Sequence, residues 1–321
     1  MAASLWACGL VDEDMRDCDN DCTISYAVSV VTNMTTQLRT ELSLETDIAV
    51  SSALETVLQD VFTDYAHDVD LSFYDIQADS ARLHHEAHIM DARESSYTLY
   101  IPVRKYMHLA VANVAENPGI SLEGGDRCHG ASLHQAVGDT LEPHVQGVFT
   151  ARLPMDVKEG VDQAFEVDLY MANCAEALVL DTLGCRLKDI RVYAAGFATD
   201  FDMADSTYHH AYTPLLRTRR LVPDSGSELC FVCVNFPSRE APFSKADDDE
   251  PPLWQFRVYA TTQDGLVTET LLGVRQPVGP GQLRVIKAQV YPDGSFEPGD
   301  PTVAVNVTLD WKPGLEHEVV L

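Results

Sequence analysis

A mainly β chain with one packed helix in its N-terminal part is the fold class that this sequence predicts, and three observations carry it. Apolar residues fall in short, strand-sized runs rich in Val, Leu, Ile, Phe and Tyr, the residue types that pack well on a pleated surface. Two stretches alternate strictly, Phe165-Glu166-Val167-Asp168-Leu169-Tyr170 and the run from Val303 to Trp311. Such alternation marks a strand with one buried and one wet face. Only one long segment instead repeats its apolar residues at spacings of three and four, the stripe of a surface helix.

In chain order, the expected strands are residues 24–32, 69–74, 97–102, 107–113, 148–153, 164–171, 177–180, 190–196, 229–236, 254–261, 268–274, 283–291 and 303–311. Turn residues bound many of them. Pro292-Asp293-Gly294-Ser295 follows an apolar run and precedes Phe296, which is good turn chemistry. The helix is expected over 43–62, with Leu44, Ile48, Leu54, Val57, Leu58, Val61 and Phe62 on one side and Ser43 or Thr46 as cap. A weaker helix is expected over 83–93.

At 321 residues the chain has room for about two domains of ordinary size. The boundary is placed in Pro154-Met155-Asp156-Val157-Lys158-Glu159-Gly160-Val161-Asp162, which carries Pro and Gly between two strands. The expected units are residues 23–155 and 156–321, after a leader and acidic segment over 1–22. The stretch 237–252, with Asp247-Asp248-Asp249-Glu250 before two prolines, reads as a loop excursion.

Charge narrows the function classes. Fifty acids against 22 bases give a net charge of −28. Neutralising phosphates needs clustered Lys and Arg, so nucleic acid is excluded as a partner. No run approaches the ~18 consecutive apolar residues of a membrane-spanning helix. Lipid attachment is then the membrane option left.

The start of the chain supplies a place for that lipid. Leu5-Trp6-Ala7-Cys8 has the form of a bacterial lipobox, and Asp12-Glu13-Asp14 follow it closely. Cys8 is the expected lipidation site. Only seven residues precede it, none of them Lys or Arg, whereas a secretory leader has a positive start and about 7–15 apolar residues. Either a longer leader precedes these residues or Cys8 is an ordinary cysteine.

Motifs for chemistry are sparse. Cys230 and Cys233 have the spacing of a thiol pair, yet three residues apart on a strand they face opposite sides; buried free thiols are expected. Cys18 and Cys22 are near enough for a local disulfide. His84-His85-Glu86-Ala87-His88 is one residue short of the zinc-protease pattern, and reads as a solvated polar helix face. His209-His210, Asp68/Asp70 and Asp200/Asp202 read as ordinary surface pairs among many acids, and Asp247 to Glu250 lacks the spaced ligands of a calcium loop. No phosphate loop, dinucleotide fingerprint or nucleophile elbow occurs. The expectation is a protein that is no enzyme and has no metal and no cofactor.

Several blocks together resemble the FimB-type family of fimbrial anchor subunits of Bacteroidales, the type V pili. They are the lipobox cysteine with its acidic start through Asp17-Cys18, the run from Phe62 to Tyr74, the run from Tyr97 to Asn113, Val167-Asp168-Leu169-Tyr170-Met171-Ala172-Asn173, and the strand ending in Asp310-Trp311. The resemblance implies two tandem transthyretin-like (Ig-like) β-sandwich domains, the first with the packed helix. It implies a palmitoylated outer-membrane lipoprotein, exposed at the cell surface, that roots a fimbrial shaft and meets fimbrillins by strand exchange. It gives Asp12, Glu13 and Asp14 the role of a surface-export signal. The runner-up is a glycan-binding surface lipoprotein of a polysaccharide-uptake system. The three tryptophans, Trp6 in the leader and Trp254 and Trp311 in apolar strands, offer it little material for a sugar platform.

Overall fold

The computed structural model describes residues 21–31, 48–61, 66–76, 80–89, 96–182, 184–221, 228–240, 251–299 and 303–308. The first elements are β1 (Asp21–Val31), α1 (Ile48–Val61), β2 (Asp68–Asp75), β3 (Arg82–Ile89), β4 (Ser96–Pro102) and β5 (Lys105–Ala112). Short strands β6 (Ile120–Glu123), β7 (Ser132–Gln135) and β8 (Thr140–Leu141) precede β9 (Phe149–Asp156), β10 (Gln163–Met171) and β11 (Cys174–Asp181). Next come β12 (Asp189–Ala195), β13 (Asp200–Asp202), β14 (Thr207–His209), β15 (Leu215–Arg217), β16 (Arg219–Leu221) and β17 (Glu228–Asn235). The chain continues through β18 (Trp254–Thr261), β19 (Val267–Val274), β20 (Leu283–Val290), β21 (Phe296–Pro298) and β22 (Val303–Thr308).

Among the described residues these strands form four sheets. A seven-stranded sheet runs β3-β2-β5-β9-β10-β1-β4, and a five-stranded one β16-β17-β11-β20-β21. A six-stranded sheet runs β22-β19-β18-β12-β15-β8, and a four-stranded one β14-β13-β7-β6. Most pairs are antiparallel, but β1 lies parallel to β10, with Ile24 opposite Gln163, and β11 parallel to β20, with Ala175 opposite Leu283.

The five-stranded sheet is the middle layer of a β-sandwich architecture. On one face Ala175, Ala177 and Val179 of β11 and Cys230, Val232 and Val234 of β17 share a core with Leu71, Phe73, Leu99 and Leu169 of the seven-stranded sheet. On the other, Cys174, Leu178, Leu180, Phe231 and Cys233 share a core with Trp254, Phe256, Val258 and Leu272 of the six-stranded sheet. Two-sided burial explains why β11 and β17 read as near-continuous apolar runs, interrupted within β11 by Glu176. Helix α1 sends Val50, Leu54, Leu58 and Val61 into the first core, where the spacing of three and four keeps one stripe dry. Ser43 and Thr46 lie outside the described residues. The four-stranded sheet covers part of the outer face of the seven-stranded one, through Leu133, Phe201 and Met203 against Tyr74, Leu109 and Val111.

One expectation is corrected. Residues 83–93 were expected as helix, yet Arg82–Ile89 is strand β3, with His84, Glu86 and His88 opposite Phe73, Leu71 and Val69 of β2. Polar side chains on both faces of an edge strand conceal its alternation. The boundary expected at 155/156 falls between β9 and β10, neighbours in one sheet with Tyr170 opposite Thr150; the chain leaves that sheet only after Met171. The turn at Pro292-Asp293-Gly294-Ser295 forms as expected, with Gly294 at φ 81° and the Asp293 carboxylate accepting from the Ser295 N–H at 2.9 Å. Trp311 lies outside the described residues.

Buried asparagines hold the crossing from β8 to β9. Asn113, at φ 63°, accepts the His67 N–H at 2.7 Å and donates to the Gly147 carbonyl at 2.9 Å. Asn117 donates to the Asn113 carbonyl at 2.7 Å and accepts the Val145 N–H at 2.7 Å. Asn173 donates to the Gln146 carbonyl and accepts the Val148 N–H. Asparagine suits these places because its amide replaces missing ladder partners, and at Asn113 because it also tolerates the left-handed region. Gly196, at φ 99°, passes close to β18, and a Cβ there would lie 2.7 Å from the Trp254 Cα.

Candidate functional site

Cys8, Asp12, Glu13, Asp14 and Cys18 lie outside the described residues, as does the acidic run Asp247 to Glu250. Cys230 and Cys233 are described, buried and free, and they belong to different cores on the two faces of β17. Burial pushes the Cys230 thiol up to about 12, which makes it inert. Among the described residues no group of three His, Cys, Asp or Glu side chains is placed to hold a metal ion within one copy.

The polar pairs have structural partners. Asp202 accepts the N–H groups of Ala204 and Asp205 at 2.9 and 3.2 Å and so shapes its turn. Asp200 bonds Thr199 and His134. On β3, Nε2 of His84 lies 2.6 Å from one Glu86 oxygen and Nε2 of His88 lies 2.8 Å from the other. His85 points to the opposite face and meets Asp70 of β2 at 2.6 Å.

The outer face of the seven-stranded sheet divides into a covered and an open half. Beyond the four-stranded sheet, β10 presents Ala164, Glu166, Asp168 and Tyr170 to solvent, while Val167, Leu169 and Met171 are buried. Ser25 of β1 and Thr98 and Tyr100 of β4 continue this face across the sheet. Tyr170 is 57% and Tyr100 64% exposed, high values for aromatic side chains. Where the open half meets the four-stranded sheet there is a cleft of about 370 Å³, floored by Arg152, Asp168 and Tyr170 and walled by Phe201, Ser206 and Tyr208. Tyr208 is fixed there by donating its hydroxyl proton to the Ala172 carbonyl at 2.7 Å. Ser206, Tyr208 and Pro280 also line a second cleft of about 610 Å³, which continues past His210 and Arg239. An exposed aromatic ring beside a carboxylate, a guanidinium and hydroxyls can bind and orient a polar ligand.

A glutamate and two histidines lie buried elsewhere. His108 donates Nδ1–H to the Ser72 carbonyl at 3.0 Å, so its Nε2 accepts from the Tyr26 hydroxyl. Its ring stacks on Phe73 at 4.3 Å, and burial lowers its pKa to about 4. His144, against Phe236, is lowered to about 3 by burial. Glu176 of β11 accepts from the Asn235 amide at 2.6 Å, its second oxygen has no hydrogen-bond partner among the described residues, and burial raises its pKa to about 8. All three are neutral near pH 7, as their dry surroundings demand.

The sequence reading passed over Tyr100 and Tyr170, having weighed only tryptophans as a platform. The signal for Tyr170 was present, since it occupies a wet position of the alternating run. Trp254 is buried as expected and donates its indole N–H to the Gln276 carbonyl at 2.9 Å.

No sequence-family model matches the chain, and no curated protein matches it. Solved structures do. A candidate adhesin of Bacteroides thetaiotaomicron superposes with a TM-score of 0.54 at 9% identity, covering 89% of this chain and 97% of that one. A candidate polysaccharide-binding protein of the same organism superposes with a TM-score of 0.53 at 9% identity, covering 88% and 97%. A looser likeness, with a TM-score of 0.48 at 9% identity over 89% of this chain and 98% of that one, is to the fimbrial anchor protein Mfa2 of Porphyromonas gingivalis. At such identities what is shared is the fold.

Proposed function

We propose that this chain is a cell-surface subunit of a fimbrium, acting in adhesion and assembly by protein–protein contact with shaft fimbrillins. Cys8 carries its lipid anchor in the outer membrane, and Asp12, Glu13 and Asp14 direct it to the surface. The observation that carries the reading is the layered β-sandwich shared with a candidate adhesin over 89% of this chain. Fold alone does not fix function; the lipobox and the resemblance of the sequence blocks supply the rest. The role requires no catalysis.

The test is to pull the tagged protein from detergent-solubilised membranes of its native host and identify what co-purifies by mass spectrometry. Fimbrillins in the eluate support the reading; their absence, with outer-membrane transporters in their place, overturns it. Cys8→Ala is expected to leave the fold intact and release the protein from the membrane fraction. A variant that stays in that fraction would sink the lipid anchor.

A second reading, glycan binding, is favoured by one observation, the cleft beside the exposed Tyr170 ring with Arg152 and Asp168 at hand. Tyr170→Ala should weaken retention on an immobilised polysaccharide column about tenfold, the effect of losing about 1.4 kcal/mol, while leaving the melting temperature unchanged. Equal retention of both proteins would end that reading.

A further inference from the structure

We propose that β3 is a metal-clasped dimerisation edge: it pairs with β3 of a second copy across a twofold axis at Glu86, so that His84, Glu86 and the second copy's His88 hold one Zn²⁺-type ion. Among the described residues β3 is an outermost strand of the seven-stranded sheet. Such a strand carries main-chain groups that can accept another strand.

The alternate positions of β3 read the same in both directions, as His84, Glu86, His88. All three project to the face of Phe73, Leu71 and Val69, and their side chains are 26–27% exposed. One Glu86 carboxylate already reaches both imidazoles, at 2.6 and 2.8 Å. Within one copy the ligand set cannot close. Residues four apart on a strand stand ~13 Å apart along it, and although both imidazoles lean in to Glu86, the three side chains are not placed to hold one ion.

A twofold axis at Glu86 changes this. Antiparallel self-pairing sets Glu86 opposite Glu86, and His84 opposite the second copy's His88. Directly opposite residues have their Cβ atoms ~4.5–5.5 Å apart, a span from which two imidazoles reach one ion at ~2.0–2.1 Å. A Glu86 carboxylate supplies the third ligand. The result is two equivalent sites, each with two nitrogens and one oxygen, a donor set suited to Zn²⁺. The Glu86 carboxylate can only accept, so in the free chain both Nε2 atoms carry the proton; on binding, that proton is lost or moves to Nδ1, and both histidines of each site give Nε2 to the ion.

The same geometry keeps the edge closed without metal. Like charges directly opposite destabilise a strand pair, and self-pairing sets two Glu86 carboxylates together in a chain of net charge −28. Inward-pointing charges are a usual guard of sheet edges, and here a cation converts the guard into a clasp.

The experiment is light scattering on a sizing column with the full chain, in EDTA and then in ZnCl₂. The expected result is a monomer in EDTA and a doubled mass in Zn²⁺, with one ion bound per chain and reversal by EDTA. His84→Ala and His88→Ala should abolish the dimer, and Glu86→Gln should weaken it about tenfold or more. His85→Ala, on the other face, should leave it unchanged. Circular dichroism checks that each variant is folded. An unchanged mass at saturating Zn²⁺, an ion bound without dimerisation, a dimer equally stable in EDTA, or a loss in His85→Ala as full as in His84→Ala would each overturn the proposal.

Discussion

Strands β10 and β11 are separated only by Ala172 and Asn173, and they occupy opposite surroundings. In β10 every second side chain from Ala164 to Tyr170 faces solvent, whereas β11 is buried from Cys174 to Leu180. The first is a wall with one wet face; the second is the spine of the middle sheet, with a core on each side. The difference shows in how each treats an acid. Glu166 and Asp168 stay in water, while Glu176 has no wet face to turn to and stays by keeping its proton.

The sharpest way to break this comparison is to empty the core that β11 faces. Trp254→Ala should cost ~3–5 kcal/mol, the range for a buried aromatic, because Trp254 packs against Phe197 and Phe256 and its indole N–H is bonded. Denaturant midpoints measure it, and an unshifted midpoint would mean the second core is not closed. Next, Leu178→Ala on β11 should cost ~2–5 kcal/mol, against ~0.5 kcal/mol or less for Asp168→Ala on β10. Similar losses would erase the distinction between the strands.

The finest probe is pH. Folded Glu176 keeps its proton up to about 8, whereas its ordinary value is 4.5. Between those values the unfolded chain gives up a proton that the folded chain retains, so the stability from this group is full below pH 4.5 and is lost as pH rises through about 8. His108 and His144 act in the opposite sense. Their folded values of about 4 and 3 lie below the ordinary 6.5, so their contribution is full above pH 6.5 and is lost as pH falls. Glu176→Gln should remove the alkaline loss and leave the acid limb in place, read from melting temperatures between pH 4 and 9. Parallel curves for the two proteins would place Glu176 in water and end the claim that β11 is dry on both faces.

Much of the fold was legible because burial writes itself into periodicity. The run Phe165 to Tyr170 announced a one-sided strand, and the unbroken apolar stretch Leu229 to Val234, with its two cysteines facing opposite sides, announced a two-sided one. Each expected strand has its counterpart, as does the helix. Strands of two to four residues such as β8 and β13 were missed, since they are too short to display a period. Edge strand β3 was misread because His84, His85, Glu86 and His88 put polar groups on both faces. The clefts were not legible, because Asp168, Tyr208 and Pro280 meet only once the sheets stack. The geometry of Cys230 and Cys233 followed from strand spacing alone.

The parallel pairing of β1 with β10 also bears on how the protein is made. Residue 24 is answered by residue 163, and a ribosome adds ~5–20 residues per second, so β1 waits on the order of ten seconds for one of its two neighbours. Hairpins close in ~1–10 μs, so β4 and the strands behind it are long settled by then. β11 waits in the same way for β20. Until its partner is made, each of these strands keeps one edge unanswered, and the delay sets how long that edge is open to other chains.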